Sequence, residues 1–262
     1  MALLIVIAIL VVSSILLFSR QWLPALASLS GQITDSQLSL NLLLLGVVFV
    51  CTQFALGLFI WKYREQQHTP ATDSAQPSLR TELVWLALAT AIFLGLNLAG
   101  TRMWAAYKPS GPAVTAAPVR VEVIAVQFRW YFRYPGADGV FGRTVTSQAD
   151  ASIGNPLGLD RKDPASADDQ VSSVLLLPAG REVELTLRAH DVIHSFFVPS
   201  LRFKQDAVPG MEIPIHFTPT QTGQFEIQCA ELCGVGHHQM NARLLVVPPE
   251  EFNRFLAEAQ AK

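Results

Sequence analysis

The sequence predicts an α+β membrane chain, with apolar helices over residues 1–106 and a domain of short β-strands over 107–262. Two observations carry this. Hydrophobic residues fill 50% of 262 positions and mean hydropathy is +0.33, yet the long apolar runs all precede Tyr107. From Val119 onward the apolar residues instead alternate with polar ones, the period of a strand buried on one face.

Leu38–Trp61 runs without a charge, and at about 1.5 Å rise per residue it is long enough to cross a hydrocarbon core of about 30 Å. Leu83–Ala99 is a second apolar run, with Trp85 and Trp104 placed for the two membrane interfaces. The pair predicts a helical hairpin, with helices near 38–61 and 83–104. The polar link Lys62–Arg80, broken by Pro70 and Pro77, carries Lys62, Arg64 and Arg80 against Arg20, Arg102 and Lys108 on the other side. That balance gives only a slight cytoplasmic bias to the link. Leu3–Phe18 is a third apolar run. Ala25-Leu26-Ala27 after it offers small residues to a signal peptidase, but the charged start of a signal peptide is missing, so a third, uncleaved helix is favoured over a processed leader.

Val119, Val121 and Val123, and then Val183, Leu185 and Leu187, alternate with polar neighbours and predict half-buried strands. Val174–Leu177, Ile213–Phe217, Phe225–Gln228 and Arg243–Val247 add further short strands separated by Pro- and Gly-bearing turns. Such spacing predicts a sandwich or a Greek-key barrel. Residues 136–173 read as an acidic loop. Pro248-Pro249-Glu250-Glu251, followed by Phe252, Phe255 and Leu256, predicts a short amphipathic helix with acids at its positive end. A net charge of −2 removes the basic footprint of a nucleic-acid binder.

Chemistry concentrates in Cys229-Ala230-Glu231-Leu232-Cys233-Gly234-Val235-Gly236-His237-His238-Gln239-Met240, which gathers two thiols, imidazoles and a thioether in one turn-rich loop. Soft sulfur with imidazole selects copper or zinc, and the weak thioether favours copper. His194 can be brought to the same place. Two thiolates can each bridge two coppers, leaving one imidazole for each metal. A Cys229–Cys233 disulfide or a closed Cys₂His₂ zinc site uses the same residues.

That loop, with Asp191-Val192-Ile193-His194-Ser195 before it and the hairpin, Val198-Pro199-Ser200-Leu201 and Lys204–Gly210 in order, resembles the copper-carrying subunit II of cytochrome c oxidase. The resemblance implies a cupredoxin barrel holding a dinuclear copper centre, CuA. Cys229 and Cys233 would bridge, His194 and His237 would be terminal ligands, Met240 a weak axial ligand, and Glu231 a carbonyl donor. It also implies that the Glu231 carboxylate reaches a Mg²⁺ or Mn²⁺ ion shared with subunit I. Glu82 matches a glutamate at the cytoplasmic mouth of a proton path, though a lone carboxylate at a helix start has a plainer reading. Electrons would come from cytochrome c and pass to haem in subunit I, where oxygen is reduced to water with proton translocation. This chain would be one of several oxidase subunits, anchored in a bacterial inner membrane with the copper domain on the periplasmic or extracellular face.

The stretch Gln127-Phe128-Arg129-Trp130 departs from the family's Gln-Trp start. Phe128 stands where a tryptophan is the expected point of electron arrival, and Trp130, two residues on and on the same strand face, is the second candidate. Retention of both cysteines and both histidines speaks against a copper-free quinol oxidase subunit. A membrane-tethered copper carrier is the other reading, and would differ in how readily it releases metal.

Overall fold

The computed structural model describes residues 2–18, 23–63, 78–106, 117–136 and 138–260. The chain divides into two units: a helical one of residues 1–24 and 33–104, and a β-unit of 25–32 and 105–262.

The helical unit holds α1 (Ala2–Phe18), most of α2 (Leu29–Lys62) and α3 (Leu79–Ala106). α2 and α3 are long and apolar enough to cross a membrane; the apolar stretch of α1, Ile7–Leu16, is shorter. Large apolar side chains are exposed all round α2 and α3, among them Leu45, Phe54, Phe59, Leu86 and Phe93, a pattern suited to lipid rather than water. Several polar side chains bond to carbonyls of their own helix: Ser39 Oγ donates to Asp35 O, Thr52 Oγ1 to Phe49 O and Asn97 Nδ2 to Phe93 O. In hydrocarbon no water would satisfy these groups, so the helix carbonyls do. α2 begins nine residues before the span expected at Leu38 because Ser28 caps it, accepting from the Gly31 N–H at 3.0 Å. The apolar run marks the membrane segment, and the helix extends beyond it. Residues 64–77 of the link lie outside the described residues.

The β-unit is a sandwich of two five-stranded sheets. β1 (Val119–Val126), β2 (Arg129–Tyr134), β3 (Gln170–Ser172), β5 (Val183–Ala189) and β8 (Ile213–Phe217) run in the order β3-β2-β1-β5-β8. β4 (Val174–Pro178), β6 (His194–Val198), β7 (Phe203–Ala207), β9 (Gly223–Cys229) and β10 (Asn241–Val247) run β4-β10-β9-β6-β7. β1 pairs β5 and β10 pairs β4 in parallel; the other ladders are antiparallel. Along β5 burial alternates strictly, and Val123, Leu185, Leu187, Leu175, Phe196, Ile227 and Leu244 meet in the common core.

The acidic loop expected over 136–173 is more ordered than its composition implies. It contains three single-turn helices and ends in β3. Asp150 and Asp163 cap two of those turns through backbone N–H groups. Asp169 pairs with Arg133, which also donates to Glu122 at 2.8 Å, all three side chains being almost fully buried. α4 (Pro249–Gln260) lays Phe252 and Phe255 against Tyr134, at ring separations of 6.4 and 5.6 Å. A strap, Ala25–Gln32, completes the unit: Ala27 N–H donates to Ser200 O, Leu29 N–H to Thr218 O, and Ser28 Oγ to Leu201 O.

Candidate metal centre

β6 and β9 are neighbours, with Phe196 opposite Cys229. His194 therefore opens one strand where Cys229 ends the next. The loop from Ala230 to Met240 then returns into β10, closed at its base by the Cys229 N–H donating to Met240 O at 3.0 Å. Ala230 N–H donates to Ser195 O at 3.0 Å, fastening the loop to the His194 strand. Gly234 has φ +137, and a Cβ at Gly236 would lie 2.5 Å from the Phe128 ring. Only glycine fits the first backbone shape and the second close approach.

The expected donors converge. Cys229 Sγ lies 3.9 Å from His194 Nδ1 and 3.9 Å from Cys233 Sγ. Cys233 Sγ lies 3.7 Å from His237 Nδ1 and 3.8 Å from Met240 Sδ. The Glu231 carbonyl is 3.2 Å from Cys229 Sγ. His194, Cys229, Cys233 and Met240 are buried, while His238 is exposed. Adjacent positions in the chain thus separate: His237 faces the thiols and His238 faces water.

Both cysteines are free thiols, and their sulfurs stand far beyond the roughly 2.05 Å of a disulfide. Burial, and after it the neighbouring Cys229, pushes the Cys233 thiol up to about 11. A metal must therefore displace protons on binding. Asp191 fixes the histidine. Its Oδ1 accepts from His194 Nε2 at 2.9 Å, which leaves Nδ1 as the nitrogen offered to a metal. Burial raises the Asp191 carboxyl, but hydrogen bonds from Gln127 N–H, His194 and Val192 N–H prevail and hold it below the ordinary carboxylate value.

A closed four-coordinate zinc site would use two thiolates and two imidazoles and leave Met240 and the Glu231 carbonyl idle. Six donors would serve two metal ions better than one, and a set of thiolates, imidazoles, a thioether and a carbonyl suits copper. A groove of about 510 Å³ reaches Cys229, His237 and Met240 from the solvent side, with Glu226, His238 and Arg243 on its walls.

The electron-arrival candidates need correction. Phe128 and Trp130 do not share a strand face. Phe128 sits in the turn between β1 and β2, half-buried over Gly234 and Gly236. Trp130 is 2% exposed and packs edge-on against His194 at 6.1 Å and Phe196 at 5.4 Å. A surface partner can touch the first and not the second. Glu82 is exposed in the first turn of α3, where the helix dipole favours a carboxylate. One contributor escapes a sequence reading: Gln127, whose side-chain amide donates to the Cys233 carbonyl at 2.6 Å. Its neighbours' aromatic pattern draws the attention, and nothing local ties a turn glutamine to a loop 106 residues away.

The chain is similar in sequence to proteins of one family. Residues 120–247 match the family described as cytochrome C oxidase subunit II, periplasmic domain. The alternative cytochrome c oxidase subunit 2 of Bradyrhizobium diazoefficiens is 32% identical over 98% of this chain and 92% of its own. Cytochrome c oxidase subunit 2 of Thermostichus vulcanus is 30% identical, over 91% of this chain and 79% of that one. Among solved structures, the periplasmic domain of subunit II of cytochrome oxidase (CoxB) of Bradyrhizobium japonicum is 26% identical. It covers 56% of this chain and 97% of its own, with a TM-score of 0.41.

Proposed function

The chain belongs to the cytochrome c oxidase subunit II family, part of a haem–copper oxidoreductase, and from that premise we propose that it is the electron-accepting CuA subunit. In this reading it accepts electrons from cytochrome c and passes them to haem in subunit I, where oxygen is reduced to water and protons are translocated. The observation that supports it most is the meeting of six donors around two thiols less than 4 Å apart.

His194, Cys229, Glu231 through its carbonyl, Cys233, His237 and Met240 would hold the copper. Copper bound by these residues would supply a one-electron store. The chain's own part is to keep that store rigid and dry. β6 and β9 fix His194 and Cys229 through their backbone ladder, Asp191 holds the imidazole orientation, and Trp130 and Phe196 keep water from the His194 side. Little rearrangement on gaining or losing an electron is what such a frame provides.

The exposed Glu231 carboxylate would complete a Mg²⁺ or Mn²⁺ site with subunit I, and Glu82 would lie at the cytoplasmic mouth of a proton path in that subunit. The β-unit would face the periplasm of a bacterial inner membrane. Elemental analysis of the full chain loaded in detergent tests the copper set. Two coppers per chain, falling to one or none in Cys229→Ser, support it. Zinc retained in preference to copper, or one copper per chain, contradicts it. In the assembled oxidase, Glu82→Gln should slow turnover and leave copper content unchanged.

A further inference from the structure

Two separate stretches of chain carry the donors: the one entering β6, with His194, and the loop between β9 and β10, with the other five. The turn between β1 and β2 touches both. The Gln127 backbone N–H donates to Asp191 Oδ2 at 2.6 Å, while Asp191 Oδ1 accepts from His194 Nε2. The Gln127 side-chain Nε2 donates to the Cys233 carbonyl at 2.6 Å; a carbonyl only accepts, so the amide nitrogen must be the atom that faces it. Phe128, next in the chain, lies with its ring over Gly234 and Gly236.

The loop needs such a hold. Leu232 and Val235, on either side of Cys233-Gly234, are 79% and 94% exposed, so the outer half of the loop gains almost no core packing. Gly234, at φ +137, is the residue type least able to restrain the backbone by itself. Holding the Cys233 carbonyl restrains the peptide that joins Cys233 to Gly234, and with it the Cα from which the sulfur-bearing side chain leaves.

We propose that Gln127 is a positioning residue for the copper centre, one that locks the His194 segment and the cysteine loop into a single register before metal arrives. The proposal rests on the CuA reading given above. Gln127 supplies no donor, so replacing it leaves all six ligands in place. Its effect falls on how well they are held.

The full chain in detergent, loaded with copper, provides the test, with Gln127→Met removing the N–H donor at nearly equal length. Copper release to a chelator, the EPR hyperfine pattern, and melting of the metal-free chain are the readouts. Loss of one net hydrogen bond should speed release about tenfold, equal to about 1.4 kcal/mol, and should alter the hyperfine pattern. Gln127→Asn keeps an amide but stops one methylene short of the carbonyl. It should behave like Gln127→Met, and it carries the same test should that variant not fold. A merely structural turn would lower the metal-free melting point and leave release and spectrum at their wild-type values; that result, in either variant, overturns the proposal. A wild-type chain that fails to hold two coppers overturns the CuA reading itself and this proposal with it.

Discussion

His194 offers its Nδ1 to the thiols because its Nε2 is engaged with Asp191 at 2.9 Å. At this scale the identity of each neighbour decides whether a donor is usable. His237 and His238 show it most simply. They are identical and adjacent, yet the short helical turn His237–Gln239 points the first at Cys233 and leaves the second in solvent. His237→Ala should therefore abolish the two-copper state, and His238→Ala should keep it, as read by copper stoichiometry. The motif spacing to Cys233 and Met240 made this choice legible in sequence, because the ligand types themselves carry the chemistry. Trp130 was not legible. Alternation along Phe128 and Trp130 implies one face, but the turn ends before Trp130, and the interior of the sandwich takes the indole. No local pattern records where a turn stops and a strand begins.

Among the elements, the insertion between β2 and β4 differs most from its composition. Aspartates that read as solvated act as caps and tethers: Asp150 accepts from Ser152 Oγ and N–H, and Asp160 accepts from Lys162 N–H and from Arg143. These bonds, led by Ser152 for Asp150 and by the Lys162 N–H for Asp160, hold both carboxyls below their ordinary 3.8. A carboxyl lowered in the folded state stabilises it above the unfolded value and loses that effect as pH falls through the folded one. Asp169 works the other way, since burial raises it despite Arg133. The turns that Asp150 and Asp160 tether should therefore lose protection below about pH 4, as limited proteolysis or hydrogen exchange at pH 7 and pH 3 would show. Protection of those turns that is the same at both pH values would count against this. The strongly alternating strands β1 and β5 were readable from sequence, and so was α4. β6 and β7 were not, because β6 is buried on both faces and β7 is a polar edge strand with Lys204, Gln205 and Asp206. Neither shows the alternation that marks a half-buried strand.

For the molecule as a whole, the boundary between units does not follow the boundary in composition. Ala25–Gln32 runs into the first of the two membrane-compatible helices, yet it belongs to the β-unit. Ser28 is wholly buried there, bridged to Pro219, with its hydroxyl on Leu201 O. Small and apolar residues in a short stretch carry no strand period, so sequence alone assigns the strap to the anchor. A fragment of residues 108–262 should thus melt lower than the same fragment carrying residues 25–32 at its start through a flexible linker. Equal melting points would show the strap to be dispensable. Family membership, the fold class and the donor residues proposed for copper, by contrast, can all be read from residue type and spacing along the chain. What the sequence could not give are the contacts made across it, above all those of Gln127 and the strap.

If six donors serve two metal ions that share one unpaired electron, EPR of the copper-loaded full chain should show it. A single unpaired spin with hyperfine coupling to two equivalent copper nuclei is the expected result. Coupling to one nucleus only, with two coppers bound or with one, would contradict it.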